Sequence, residues 1–538
     1  MKNLSTSRRT VLRSLALGLT ACAGKRLHAD PGAPIARTSA GLLQGLYARG
    51  VYQFRGISYG ADTAATRFQA PRPPRPWSGL RDALQFGPRA PQLASHGAPQ
   101  RQTGFFLPPE TGSFGEDCLH LNVWTAGLRD HRRRPVLVYI HGGGYSGWSS
   151  NTDLYDGVEL ARRGEAVVVT LNHRLNLFGY LHLAGLAPGF EDASNAGMLD
   201  LVLALEWVRN NIEEFGGDPG RVLIFGQSGG GAKCATLMAM PAARGLFHRV
   251  LTMSGQQVTA SRPETATARA QALLDALRLP VSRINDLRTL PMEQLVEASR
   301  KVGSWAPVHD GRTLPRDPFS PDAPLLSATV PVIFGNTHDE ARFFYPQVVD
   351  DATLDWQSLA GRLDPIAQFL GPYSRAQVVD FYRKLYPAYA PVDVFYAAAT
   401  AFRSWRSQLI EAERRAAQPA AQPHTWVYQL NWASPVDGGK WRAPHTLDIP
   451  LWFNNTVYAP GMSGDGTAAR QMATTMSQTL LAFAQTGNPN HPDLPAWHSY
   501  DLKSRATMCF DQPSKLVSDP RGEERRFVEQ APYTQPGT

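Results

Sequence analysis

The chain has 538 residues, 43 % hydrophobic and 19 % charged, an ordinary globular composition that excludes a fibrous or intrinsically disordered protein. No stretch is long and apolar enough for a membrane-spanning helix, which needs about 20 such residues. Six of the 54 basic residues and none of the 46 acidic ones fall in residues 1–29, so the formal charge of +8 drops to +2 beyond them and points to no nucleic-acid partner.

Residues 1–29 read as an export signal. Arg8-Arg9 precede an apolar run at 15–21 and then small residues, the order of a secretory leader, and the paired arginines suit the twin-arginine route. Two ends stay open. Leu19-Thr20-Ala21-Cys22 resembles a lipoprotein box, which would leave a lipid on Cys22 as the membrane attachment; Leu27-His28-Ala29 suits ordinary cleavage. Residues 30–538 are expected to fold as one exported domain, periplasmic or secreted. Beyond Cys22 the cysteines are Cys118, Cys234 and Cys509, an odd number without metal-ligand spacing. No metal is expected, and stability should come from core burial.

The first strand-like run, 51–54, leads into Gly56-Ile57-Ser58-Tyr59-Gly60. This matches G-x-S-x-G, the mark of a nucleophilic serine on a strand-to-helix turn. No helical period follows it, so Ser58 reads as a turn residue in an N-terminal β-hairpin. Apolar runs without polar alternation recur at 136–140, 166–171, 222–225, 250–253, 330–334 and 426–430, as in a mostly parallel sheet covered on both faces. Between them lie helical stretches, the clearest at 198–215, where Asp200, Glu206 and Arg209 interrupt an apolar surface and Gly216-Gly217-Asp218-Pro219 stops it. Residues 260–325 and 355–420 read as helical insertions capping the sheet. The fold class is α/β.

A second G-x-S-x-G, Gly226-Gln227-Ser228-Gly229-Gly230, follows the run at 222–225 and opens a helical stretch at 229–240. A serine hydroxyl needs a base and an exposed place at a helix N-terminus to act as nucleophile. Ser228 has that setting and Ser58 does not. Upstream, His141-Gly142-Gly143-Gly144-Tyr145 follows the strand at 136–140, the kind of loop whose backbone N–H groups stabilise an oxyanion.

These residues resemble the type-B carboxylesterases, the family of cholinesterases and bacterial para-nitrobenzyl esterases. The stretch 225–231 is similar to F-G-E-S-A-G-G, and Glu116-Asp117-Cys118-Leu119-His120-Leu121-Asn122-Val123 to E-D-C-L-Y-L-N-V. Further stretches fit at 195–200, 215–219 and 487–490, and the likeness runs from about residue 35 to 530. The resemblance implies an α/β-hydrolase fold and a serine esterase that takes small-molecule esters without a cofactor. It implies a triad of Ser228, Glu340 and His445. Glu340 lies in Gly335-Asn336-Thr337-His338-Asp339-Glu340-Ala341, where Asp339 is the competing acid. Of fourteen histidines, His445 alone has both chain order and context, in Ala443-Pro444-His445-Thr446-Leu447-Asp448. Oxyanion donors would be the N–H groups of Gly143, Gly144 and Gly229. Tyr145, Trp148, Trp305, Phe343, Phe344 and Tyr345 are candidates to line the substrate pocket with Gln227.

Several positions depart from the family. Gln227 replaces a glutamate, and no tryptophan lies between Trp77 and Trp124, which argues against a choline ester. Ala90 stands in place of the cysteine that would pair with Cys118, so Cys118 is expected free. Thr446 and Ala341 replace glycines and should narrow the site. Two other readings stay open. One is a hydrolase of amides, carbamates or a large natural-product ester. The other is a neuroligin-like binding protein, disfavoured by the intact triad.

Overall fold

The computed structural model describes residues 33–93, 107–164 and 166–535. The expected export signal, Cys22 included, lies outside them. The architecture is an eleven-stranded sheet flanked by helices, with a three-stranded sheet of Ile35–Arg37, Leu42–Gln44 and Leu80–Asp82 beside it. In chain order the large sheet contains β1 (Leu46–Ala48), β2 (Val51–Ser58), β3 (His120–Thr125), β4 (Arg134–Ile140), β5 (Val167–Leu171) and β6 (Gly217–Gln227). It continues with β7 (Arg249–Met253), β8 (Val332–Thr337), β9 (Thr425–Leu430), β10 (Ala506–Phe510) and β11 (Lys515–Ser518). Their spatial order is β11-β10-β9-β8-β7-β6-β4-β5-β3-β2-β1. Strands β4 to β10 run parallel and the outer pairings are antiparallel.

The uninterrupted apolar runs are explained by this layering. Every residue of β4, β5, β8 and β9 is buried, because helices cover both faces. One face packs α1 (Ala196–Asn211) and α2 (Gly229–Leu237); the other packs the long helix α5 (Thr467–Thr486). The helix expected at 198–215 is α1 plus a 3-10 turn, Ile212–Phe215, closed by Gly216 at φ +71°. The strand that follows starts earlier than the apolar run suggested, at Gly217, since its first residues pair with the start of β4. Between residues 260 and 325 the helical segments are Pro263–Leu277, a 3-10 stretch Val281–Arg288 and Met292–Ser299, so the first part of that insertion is helical as expected and the part from 300 to 324 is not. The second insertion contains α3 (Pro391–Thr400) and α4 (Arg406–Ala416), joined by a π-helical turn, Ala401–Trp405, and has its own apolar cluster.

Ser58 is not a turn residue. The hairpin turn is Arg49-Gly50, both at positive φ, and Ser58 ends β2 opposite His120, whose Nε2 lies 3.0 Å from its Oγ. The two glycines around it answer separate packing demands. Gly56, at φ +73°, sits in the β-bulge where Asn122 Oδ1 accepts its N–H (2.9 Å), and a Cβ on Gly60 would come 2.5 Å from Leu119. The first G-x-S-x-G is therefore a coincidence of two unrelated backbone approaches.

Asp200, which interrupts the apolar pattern of α1, is wholly buried against Arg174. Its carboxylate accepts the Arg174 backbone N–H (2.9 Å), Nε (2.9 Å) and Nη2 (2.6 Å). Such a pair contributes little against an apolar replacement, but removing one partner strands the other charge. Asp200→Asn should lower the unfolding free energy by about 3–5 kcal/mol, read as a fall in the urea midpoint. An unchanged midpoint would mean Arg174 finds another partner or water.

Candidate active site

The pieces of the site all follow the C-terminal ends of parallel strands, the edge where ligands bind in open α/β sheets. Ser228 follows β6, the glycine loop follows β4, Glu340 follows β8, and His445 lies beyond β9.

Ser228 sits at φ +57°, ψ −127°, a strained conformation for a side-chain-bearing residue. Its N–H donates to the Met253 carbonyl (2.8 Å) and its carbonyl accepts from Ala232 (3.0 Å). The flanking glycines make the turn possible. A Cβ on Gly226 would lie 2.5 Å from Gly230 C, and one on Gly230 would lie 1.9 Å from the Ile140 carbonyl oxygen. Strand β4 and helix α2 are thus in backbone contact beneath the serine.

The loop after β4 folds over the start of α2. Gly143 and Gly144 are at φ +80° and +59°, and neither their N–H groups nor that of Gly229 is used in a hydrogen bond among the described residues. A residue to which the sequence assigns no role holds this loop. Lys233, fully buried in α2, donates from Nζ to Gly144 O (2.7 Å) and His141 O (3.3 Å). Burial pulls its ammonium down to about 7. The single charged residue in the stretch 229–240 was the available signal. Gly229 completes the fit, because a Cβ there would come 2.3 Å from Gly144 O. Burial and Lys233 push the imidazole of His141 well below its ordinary range, so it packs neutral against His173 at 4.7 Å.

His445 Nδ1 bonds Glu340 Oε2. The other oxygen of Glu340 accepts Ser254 Oγ (2.5 Å), the Thr337 N–H (2.8 Å) and Asn336 Nδ2 (3.2 Å). Burial raises the carboxyl's pKa, but His445 and these donors outweigh it and hold the group below its ordinary value. Asp339 turns away. It bonds His338 Nδ1 (3.0 Å) and lies near Arg342 and Arg442, and despite burial these cations hold it down at about 2. The structure places Glu340, not Asp339, against His445.

His445 Nε2 lies 3.0 Å from the Gln227 amide nitrogen. That contact suits a ring protonated on Nδ1 and leaves Ser228 Oγ without a hydrogen bond among the described residues. Catalytic hydrogen bonds often close only when substrate is bound. Phe344 and Phe343 pack on the imidazole, with centroids at 4.7 and 5.4 Å.

Two cavities meet at Ser228 and His445. The first, about 340 Å³, takes Gln227, Trp148, Phe343, Phe344 and Thr446 from the expected set. The second, about 460 Å³, takes Tyr145, Trp305 and again Phe344. Tyr345 lines neither; it packs edge-on against Phe395. Thr446 narrows the first cavity, as expected, at the cost of a β-branched residue at φ +80°. Ala341 lines neither cavity and is buried under Thr400, which accepts its N–H (3.1 Å). Cys118, Cys234 and Cys509 are buried free thiols. Among the described residues no His, Cys, Asp and Glu group is arranged to hold a metal ion, and no helix is long and apolar enough to cross a membrane.

Two substitutions check this geometry. Gly229→Ala must displace the glycine loop and should lower kcat on 4-nitrophenyl butyrate at least about tenfold, since one oxyanion donor is typically worth about 10²–10³. Wild-type turnover would mean the loop is not held where it stands. Thr446→Gly relieves strain of about 1–3 kcal/mol against an entropic cost of about 0.4–1 kcal/mol, so the thermal midpoint should rise.

A model of the carboxylesterase family matches residues 32–528. The chain is 32 % identical over 511 residues to the para-nitrobenzyl esterase of Bacillus subtilis (strain 168), spanning 91 % of this chain and 98 % of that one. It is 34 % identical over 522 residues to the phenmedipham hydrolase of Pseudarthrobacter oxydans, spanning 91 % and 96 %. The crystal structure of a Geobacillus stearothermophilus carboxylesterase matches with a TM-score of 0.79 at 32 % identity, covering 92 % of this chain and 99 % of that one. The sheet described above is that of the α/β-hydrolase fold, and the chain belongs to the carboxylesterase family.

Proposed function

We propose that the protein hydrolyses carboxylic esters through Ser228, His445 and Glu340 by way of an acyl-enzyme. The observation that carries this reading is the meeting of a serine on a strained turn and a buried His445–Glu340 pair at the same two cavities. Substrate entry moves the Ser228 hydroxyl to His445 Nε2, displacing the Gln227 contact. Nε2 takes the proton as Oγ bonds the ester carbonyl carbon, and Glu340 stabilises the imidazolium. The carbonyl oxygen, now negative, accepts from the N–H groups of Gly143, Gly144 and Gly229. Collapse breaks the bond to the alcohol oxygen, which takes the proton from Nε2. Water then repeats the sequence on the acyl-enzyme, releasing the acid and restoring Ser228. The leader pattern at residues 1–29 supports export of the folded chain, with cell fractionation as the check.

Release of 4-nitrophenol from 4-nitrophenyl butyrate tests the assignment. Ser228→Ala should lose turnover by about 10³-fold or more, and Glu340→Gln by a comparable factor, while Ser58→Ala and Asp339→Asn keep it within a few-fold. Loss in folded Ser58→Ala with activity retained in Ser228→Ala would reverse the choice of nucleophile.

A further inference from the structure

The cavities at the nucleophile differ in chemistry. Leu107, Trp148, Leu154, Phe343 and Ile449 make the first largely apolar. The second is walled by Gln256, Gln257, Ser304, Ser404, Ser407 and Arg403. Gln227, in contact with His445 Nε2, lines the apolar cavity and not the polar one. On the esterase reading above, the leaving alcohol must approach Nε2 to take its proton. The alcohol therefore departs on the apolar side, and the acyl chain occupies the polar cavity.

Arg403 is the unusual member of that wall. It lies in the π-helical turn Ala401–Trp405, a feature that re-aims side chains and recurs at functional sites. Its guanidinium carbon is 3.5 Å from the centroid of Phe344, which is itself 4.7 Å from that of His445. One aromatic ring separates the cation from the catalytic base. Its polar neighbours are neutral, Ser404 Oγ at 3.4 Å and the Tyr345 phenol.

No ion pair among the described residues involves Arg403. The acids at this end of the site are bonded elsewhere. Glu340 is bonded to His445, and burial pushes the Glu411 carboxyl, behind Gln257, well above its ordinary range. The nearby Arg342, by contrast, is paired with Asp393 at 2.8 Å. Lys233, the other cation at this end, is behind the glycine loop and bonded to its carbonyls. A half-buried guanidinium keeps its charge and pays desolvation without a counter-ion. A carboxylate on the substrate would supply that counter-ion through charge-assisted hydrogen bonds.

We propose that the polar cavity is an acyl subsite for a chain ending in a carboxylate, that Arg403 is its specificity-determining residue, and that the preferred substrates are half-esters of dicarboxylic acids. The test compares kcat/KM for mono-4-nitrophenyl adipate and 4-nitrophenyl hexanoate, whose acyl chains have equal length, in wild type and Arg403→Gln. Wild type should favour the adipate half-ester by at least about tenfold at low salt, the worth of one charge-assisted hydrogen bond, and the preference should shrink as salt is added. Arg403→Gln should cut the adipate-to-hexanoate ratio by a similar factor. Equal use of the two esters by wild type, or an unchanged ratio in the variant, overturns the proposal. The wild-type comparison decides the matter if the variant does not fold. A preference for 4-butanoyloxybenzoate over phenyl butyrate, without one for the adipate half-ester, would place the cation on the alcohol side and overturn the acyl assignment. Turnover of hexanoate separates failure of the subsite from failure of the esterase reading; if neither ester is cleaved and a fluorophosphonate does not label Ser228, both readings fall.

Discussion

The site rests on one close backbone contact, between Gly230 at the start of α2 and the carbonyl of Ile140 at the end of β4. A single methyl group on Gly230 would lie 1.9 Å from that oxygen. Because no side chain intervenes, the helix start and the neighbouring strand end meet directly, and Ser228 is forced through a positive φ between them. The loop leaving β4 then has nowhere to go but over the first turn of α2. Ser228 and the glycine loop are consequently held in one packed unit, with Lys233 fastening the loop carbonyls from below. On the esterase reading proposed above, donors pre-positioned in this way need no reorganisation when charge develops.

The other half of the site is held by polar satisfaction. Glu340 is fully buried, and an unpaired carboxylate there would be costly. Ser254, Asn336, the Thr337 N–H and His445 together satisfy both oxygens, so the carboxylate stays ionised and its geometry is set from three elements. The adjacent Asp339 is held out by a different set of cations, and this segregation of two neighbouring acids defines which one reaches the imidazole. Phe343 and Phe344 complete the setting by covering the ring.

Side chains around the two cavities act together. Gly229 and Lys233 both draw the glycine loop onto α2, one by removing bulk and the other by hydrogen bonding. Gln227 presents a neutral amide to His445 Nε2 where the family has a carboxylate, and Thr446 spends backbone strain to place a side chain in the apolar cavity.

Much was legible in the sequence because it is recorded locally. A parallel strand buried on both faces must be continuously apolar, so six strands could be located, and the helix after Ser228 but not after Ser58 chose between two identical patterns. Glu340 and His445 were readable through chain order and the resemblance. What the sequence could not record is anything decided by convergence. That Asp200 is a buried partner of Arg174, that Lys233 braces a loop some ninety residues upstream, that Tyr345 lines neither cavity and that Arg403 lines one all depend on how distant segments pack. Charged side chains carry no periodic signal of their partners, since burial and pairing of a charge are properties of the assembled core. The sequence by itself determined the order of the strands and motifs along the chain; only the tertiary structure decided which charges are paired and which are not, because pairing depends on segments far apart in the chain.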